Sequence, residues 1–371
     1  MFSSFFHSRS HPVSAFFSVA IPGLREGRTR LAAAAIAGVV SLSGCAVSFP
    51  VPTPPATEAK LINNGNDGVM IPLHVERADQ DHARLGLPVQ LDGKSVYVAL
   101  DTGTQGVRVL SSVLPRQGDA SAGSNSTLVF ANNAQVSGPS VSVPVSLIGT
   151  KSVDLTVQAV NDVHCLSIDK KCVAIDGYTG EFGWAFSGLY GVGLQQPDDS
   201  CCTQPLRALP GNLGQRYFVR SSFDNPFLLL SPSDTLTKSF TMAPMSVSKD
   251  GEPQWPVGCV QVADKMRYCA PVVFSTGSTG MVRIETDTVP NWVDDAGDHA
   301  VMKQGNFDVA LGIGKWTHRY DSAQVTIVKK PAGINRIVIG LMAMQKIDVL
   351  IDFPHRQVGL RASVENERFA P

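Results

Sequence analysis

Short apolar runs separated by turn residues dominate the chain from about Gly68 onward, and the three-to-four-residue spacing of an amphipathic helix is rare. Val89 to Leu91, then Asp92-Gly93, and a second, apolar run at 95–100 predict a hairpin, because Asp-Gly suits the tight turn that joins twisted strands. Further strands are predicted at 107–110, 127–131, 141–148 and 153–160. The second half repeats the style at 257–262, 267–274, 281–285, 325–328, 336–339 and 348–353. Val-rich runs of this length, with Gly and Pro between them, predict an all-β body.

The N-terminus reads differently. Arg25, Arg28 and Arg30 precede an apolar run at 31–42 that ends in Leu42-Ser43-Gly44-Cys45. A basic stretch, a short apolar run and small residues before a cleavage point have the anatomy of a secretory signal. The run falls short of the roughly 20 residues that span a bilayer. Leu-Ser-Gly-Cys resembles a bacterial lipobox, which implies that the lipoprotein signal region 1–45 is cut just before Cys45, and that Cys45 is acylated and becomes the mature N-terminus. Ala46 in the next position implies, by the same resemblance, the periplasmic face of the outer membrane, with the lipid as the contact to the membrane. Residues 46–66 carry Pro50, Pro52, Pro54 and Pro55 and are expected to act as an extended tether.

An internal repeat organises the rest. Val98-Ala99-Leu100-Asp101-Thr102-Gly103-Thr104 matches Val272-Val273-Phe274-Ser275-Thr276-Gly277-Ser278. Each copy continues with a glycine (Gly106, Gly280) and then Val-Arg-Val or Val-Arg-Ile at 107–109 and 282–284. Each half later carries two apolar residues before a glycine, Leu189-Tyr190-Gly191 and Val338-Ile339-Gly340. Two copies of one β unit predict two related lobes, 67–230 and 231–371.

These residues resemble the pepsin family of aspartic peptidases over about 87–362, including an uncharacterised set of bacterial pepsin-like lipoproteins. The resemblance implies a bilobal all-β fold with an inter-lobe cleft, in which each turn supplies one catalytic aspartate. It also implies that the two turn threonines bond across the lobes. Paired carboxylates share a proton, so one acts as base on a water while the other donates to the scissile carbonyl. Here Asp101, Thr102, Gly103 and Thr104 are complete, but Ser275 stands where the partner aspartate belongs, ahead of Thr276, Gly277 and Ser278. No tyrosine lies between Asp101 and Tyr178, where the family places one on a flap, and Leu341 replaces the aspartate that usually follows the last glycine. The implied function is a pseudopeptidase that binds a peptide, another envelope protein or a polysaccharide in the cleft, a use for which plant xylanase inhibitors look like a precedent. The alternative is an active aspartic-type endopeptidase or other hydrolase centred on Asp101.

Other candidates weigh less. Ser275 lacks a nearby histidine or a nucleophile-elbow motif, so it reads as a hydrogen-bonded filler beside Asp101. Asp294, Asp295, Asp298 and His299, like Asp79, Asp81 and His82, lack the spacing of a calcium loop and read as solvated loops. Gly312-Ile313-Gly314 has no β-α unit around it, so no nucleotide or other cofactor is expected, and no metal. Trp184, Trp255, Trp292 and Trp316 are core or cleft-rim aromatics. A net charge of -1 argues against a nucleic-acid partner, and a monomer is expected. Cys165, Cys172, Cys201, Cys202, Cys259 and Cys269 form an even set in an exported chain and read as disulfides. Cys259 and Cys269 flank a hairpin and are expected to pair. Cys201 and Cys202 are expected to pair with Cys165 and Cys172, in an order the sequence leaves open.

Overall fold

Strand Lys94–Asp101 is apolar without a break from Val96 to Leu100 because both of its faces are buried there. Val96, Val98 and Leu100 point into the main core, while Tyr97 and Ala99 pack with Leu128, Val136, Phe186 and Leu189 on the opposite face. The hairpin before it turns at Asp92-Gly93, with φ of 49° and 75°, the conformation that the Asp-Gly pair predicts. The computed structural model describes residues 68–77, 83–115, 124–130, 133–168, 172, 182, 186–194 and 201–363. Cys45, the leader and tether, Asp79, Asp81, His82, Tyr178 and Trp184 lie outside the described residues.

The protein is all-β, in three principal sheets. The first, of nine strands, runs in the order His74–Arg77, Ala83–Leu91, Lys94–Asp101, Gly188–Val192, Gln105–Leu110, Val153–Val160, Ala134–Leu147 and Asn125–Val129, with Asp162–Cys165 also paired to Ala134–Leu147. The second closes into a barrel, Val257–Val262, Met266–Ser275, Arg336–Gly340, Val282–Thr286, Trp316–Lys329 and Val301–Ile313. The third has six strands, in the order Val69–Pro72, Phe227–Leu230, Arg216–Arg220, Ile347–Asp352, Gln357–Ala362 and Thr241–Pro244. It draws on both ends of the described chain. Among the described residues no helix is long and apolar enough to cross a membrane.

The six-stranded sheet is buried on both faces. Tyr217, Val219, Leu228, Val349, Ile351 and Val358 join the main core, and Phe218, Phe227, Leu229, Phe240 and Leu350 form a separate cluster behind it. Charges on that second face are paired: the fully buried Asp348 accepts from Arg220 at 3.0 Å and from Arg361 at 2.9 Å, and both guanidiniums lie over the Phe218 ring. Arg216–Arg220 and Phe227–Leu230 were not among the predicted strands. Nor was most of the long pair Val301–Ile313 and Trp316–Lys329, whose exposed polar positions hide the pattern.

All six cysteines among the described residues are bridged, but the pairing corrects the expectation for four of them. Cys165 bonds to Cys172, Cys201 bonds to its neighbour Cys202, and Cys259 bonds to Cys269 as predicted. The hairpin ladder sets Cys259 directly opposite Cys269. Cys165 and Cys172 lie 5.5 Å apart at their Cα atoms, with Cys165 paired to Ala134 at the start of strand Ala134–Leu147. The Cys201-Cys202 pair is held on a different strand, Gln105–Leu110.

Candidate functional site

The two copies of the repeat fold alike. Gly188–Val192 runs parallel to Lys94–Asp101 and antiparallel to Gln105–Leu110, which sets Gly191 opposite Asp101. Arg336–Gly340 runs parallel to Met266–Ser275 and antiparallel to Val282–Thr286, which sets Gly340 opposite Ser275. Glycine is required at both points because the turn passes directly over it. A Cβ on Gly340 would stand 2.1 Å from the Gly280 carbonyl oxygen, and one on Gly191 would stand 2.8 Å from that of Gly106. The turns are then pinned from behind: Gly193 N–H donates to Thr104 O and Leu341 N–H to Ser278 O, each at 2.7 Å.

Between the copies, the two threonines form a reciprocal lattice. Thr102 Oγ1 donates to Phe274 O at 2.6 Å and accepts from Thr276 N–H at 3.1 Å. Thr276 Oγ1 donates to Leu100 O at 2.6 Å and accepts from Thr102 N–H at 3.1 Å. Both threonines are buried, so no water competes for these groups.

Asp101 and Ser275 meet at the centre. Asp101 Oδ1 accepts from Gly103 N–H at 2.6 Å, from Gly277 N–H at 2.9 Å and from the Ser275 hydroxyl at 3.0 Å. Ser275 Oγ in turn accepts from Ser278 N–H at 3.1 Å. The glycine of each turn seats the side chain of the other: a Cβ on Gly103 would lie 2.3 Å from Ser275 Oγ, and one on Gly277 2.5 Å from Asp101 Cγ. Asp101 Oδ2 accepts from no described residue. The serine hydroxyl therefore occupies the position of a proton donor to Asp101, but an alkanol does not give that proton up at neutral pH. No second carboxylate bonds to Asp101 among the described residues, and Thr104 Oγ1 is buried without a partner.

The other candidates lie elsewhere. Trp255 packs on Phe274 at 5.8 Å, within the core behind Ser275; Trp292 meets Phe307 edge-on, and Trp316 stacks on His318. Asp294, Asp295 and Asp298 are on an exposed loop, where Asp295 accepts from Gly297 N–H and pairs with Lys329. His299 follows at positive φ, its basicity lowered by partial burial and by Lys330. Gly314 turns the hairpin between Ile313 and Trp316 at φ 56°. Among the described residues no group of three or more His, Cys, Asp or Glu is placed to hold a metal.

One charged cluster went unread in the sequence. Glu285, at the far end of Val282–Thr286, is fully buried and meets Arg283 Nε at 3.0 Å, Arg336 Nε and, at 3.7 Å, Lys330 Nζ. Burial is the largest influence and raises its pKa, but Arg336, Lys330 and Arg283 together outweigh it and hold the carboxyl at about 2. The repeat contained the signal: Arg283 matches Arg108 in the first copy. Comparison with known proteins finds no matching family model and no matching curated protein.

Proposed function

We propose that this chain has a pepsin-like bilobal fold with a dismantled catalytic pair, and that it serves as a lipid-anchored envelope protein binding a peptide, protein or polysaccharide. The observation that carries the reading is the Asp101–Ser275 contact. It supports binding over hydrolysis because the hydrogen bond between the two turns persists while its proton is fixed on the serine. Such a pair still orders both turns, but it offers no second carboxylate to exchange roles between base and acid as water attacks and the amine leaves. Two further features support the pepsin-like reading: the matched register of Gly191 with Asp101 and Gly340 with Ser275, and the reciprocal threonine bonds. Asp101 Oδ2 is the acceptor that a ligand N–H or O–H would meet.

The test is activity at acid pH on denatured protein substrates. The wild type is expected to leave them intact and to ignore a statine-type inhibitor, whose hydroxyl mimics the water held between two carboxylates. General acid–base help is worth roughly 10²–10⁴-fold, so the loss of one partner takes dyad catalysis down by orders of magnitude. Strong acid-pH cleavage that Asp101→Asn abolishes would overturn the reading in favour of a working peptidase.

A further inference from the structure

The bond between Cys201 and Cys202 spans a single peptide link, so it removes little freedom from the unfolded chain. The stabilisation a bridge supplies by that route grows with the segment it encloses, and the other two bridges join residues 7 and 10 positions apart. Stapling the fold is therefore not what the adjacent pair contributes.

Its effect is on one strand. The Cys201 carbonyl accepts from the Arg108 guanidinium at 3.0 Å, and the Cys202 carbonyl accepts from Gln105 Nε2 at 3.2 Å. Arg108 is wholly buried and also donates to Gln105 O, so the cystine backbone supplies an acceptor to a cation inside the nine-stranded sheet. Gly106 lies directly beneath, at φ 92°, and a Cβ there would stand 2.3 Å from Cys202 Cβ. Gly106 pairs with Gly191, which pairs with Asp101. The cystine thus sits on Gln105–Leu110, the strand that leaves the Asp101 turn. Cys202 is held at φ 74°, a left-handed conformation that a non-glycine residue seldom adopts and that the closed ring helps impose. Cys202 is also the more exposed of the two.

We infer that Cys201–Cys202 is a thiol–disulfide exchange site for a dithiol reductant, and that its reduction loosens the strand beside Asp101. A thiolate of the reductant attacks Cys202 Sγ, and the bond to Cys201 Sγ breaks. The electron pair leaves on Cys201, which takes up a proton. The reductant's second thiolate then attacks its own sulfur in the mixed disulfide, releasing Cys202 as a thiol and leaving the reductant as a disulfide. Two electrons and two protons have passed to the protein. With the ring open, Cys202 can leave the left-handed region, which withdraws the carbonyls that Arg108 and Gln105 use. The hairpin bridge behaves differently, because its ladder keeps Cys259 opposite Cys269 and re-forms the bond.

The experiment titrates the oxidised, folded protein with dithiothreitol, traps thiols with iodoacetamide and maps them by mass, while hydrogen exchange is followed at 105–110. The Cys201-Cys202 pair is expected to open at a roughly tenfold lower reductant concentration than either other bridge, equivalent to about 30 mV for a two-electron couple. Exchange at 105–110 should then speed up, and the double variant Cys201→Ser, Cys202→Ser should reproduce that faster exchange without reductant. Prior opening of Cys165–Cys172 or Cys259–Cys269 would overturn the inference. So would opening of the adjacent pair with unchanged exchange at 105–110 in both the reduced wild type and the variant.

Discussion

Thr276→Val tests whether the threonine lattice holds the two copies of the repeat together. Valine keeps the shape of the side chain and its fitness for an extended backbone, so the change isolates the hydroxyl. That hydroxyl gives its proton to Leu100 O at 2.6 Å and takes one from Thr102 N–H at 3.1 Å, at a residue with no solvent exposure. Its removal strands a carbonyl and an N–H in the opposite half. A buried group left without a partner costs about 1–3 kcal/mol, so the two together should cost roughly 2–6 kcal/mol. Against a total stability on the order of 5–15 kcal/mol, such a loss is easily read as a lower urea midpoint. Thr276→Ser is the control: it keeps the hydroxyl and forfeits one methyl group, worth about 0.8 kcal/mol. Thr102→Val should match Thr276→Val, because its hydroxyl makes the mirror-image pair of bonds to Phe274 O and Thr276 N–H. A valine variant that loses less than about 1 kcal/mol, or no more than the serine variant, would refute the argument that these bonds carry the junction.

Two other outcomes follow from named residues. Glu285→Gln leaves Arg283, Lys330 and Arg336 around a neutral amide and should destabilise the barrel by about 3–5 kcal/mol at neutral pH. Because Glu285 titrates at about 2 when folded and near 4.5 when unfolded, its contribution is complete above pH 4.5 and is lost as pH falls toward 2. The gap between wild type and variant in thermal or urea midpoints should therefore close on acidification, and a gap that stays constant from pH 5 to pH 2 would contradict the assignment. Acylation at Cys45 predicts that the protein incorporates a labelled fatty acid and fractionates with membranes, and that Cys45→Ser abolishes the label; unchanged labelling would exclude it.

The all-β character was legible from residue order alone, because strand periodicity and turn chemistry are local. Asp92-Gly93 specifies its turn through the φ its two residues tolerate, and no distant contact is needed. The repeat was legible too, and with it the residues of the site: Asp101, Thr102, Gly103, Ser275, Thr276 and Gly277 lie in two matching segments. Their meeting was carried by the resemblance, since no local pattern brings together groups 174 positions apart, as Asp101 and Ser275 are. The six-stranded sheet escaped the sequence for the same reason. Arg216–Arg220 pairs with Ile347–Asp352, and the arginines within the first strand look solvated until Asp348 and Asp352 are found opposite them. Glu285 shows the converse: in sequence it is one more surface carboxylate, and only burial among three cations makes it structural. Cysteine pairing also waited on the fold, because composition sets how many bridges can form while chain geometry sets which sulfurs meet. Periodicity, turns and repeats are written along the chain; register between distant strands, burial of charge and the seat of the Cys201-Cys202 pair arise only when packing excludes water from particular groups and leaves each to find its partner.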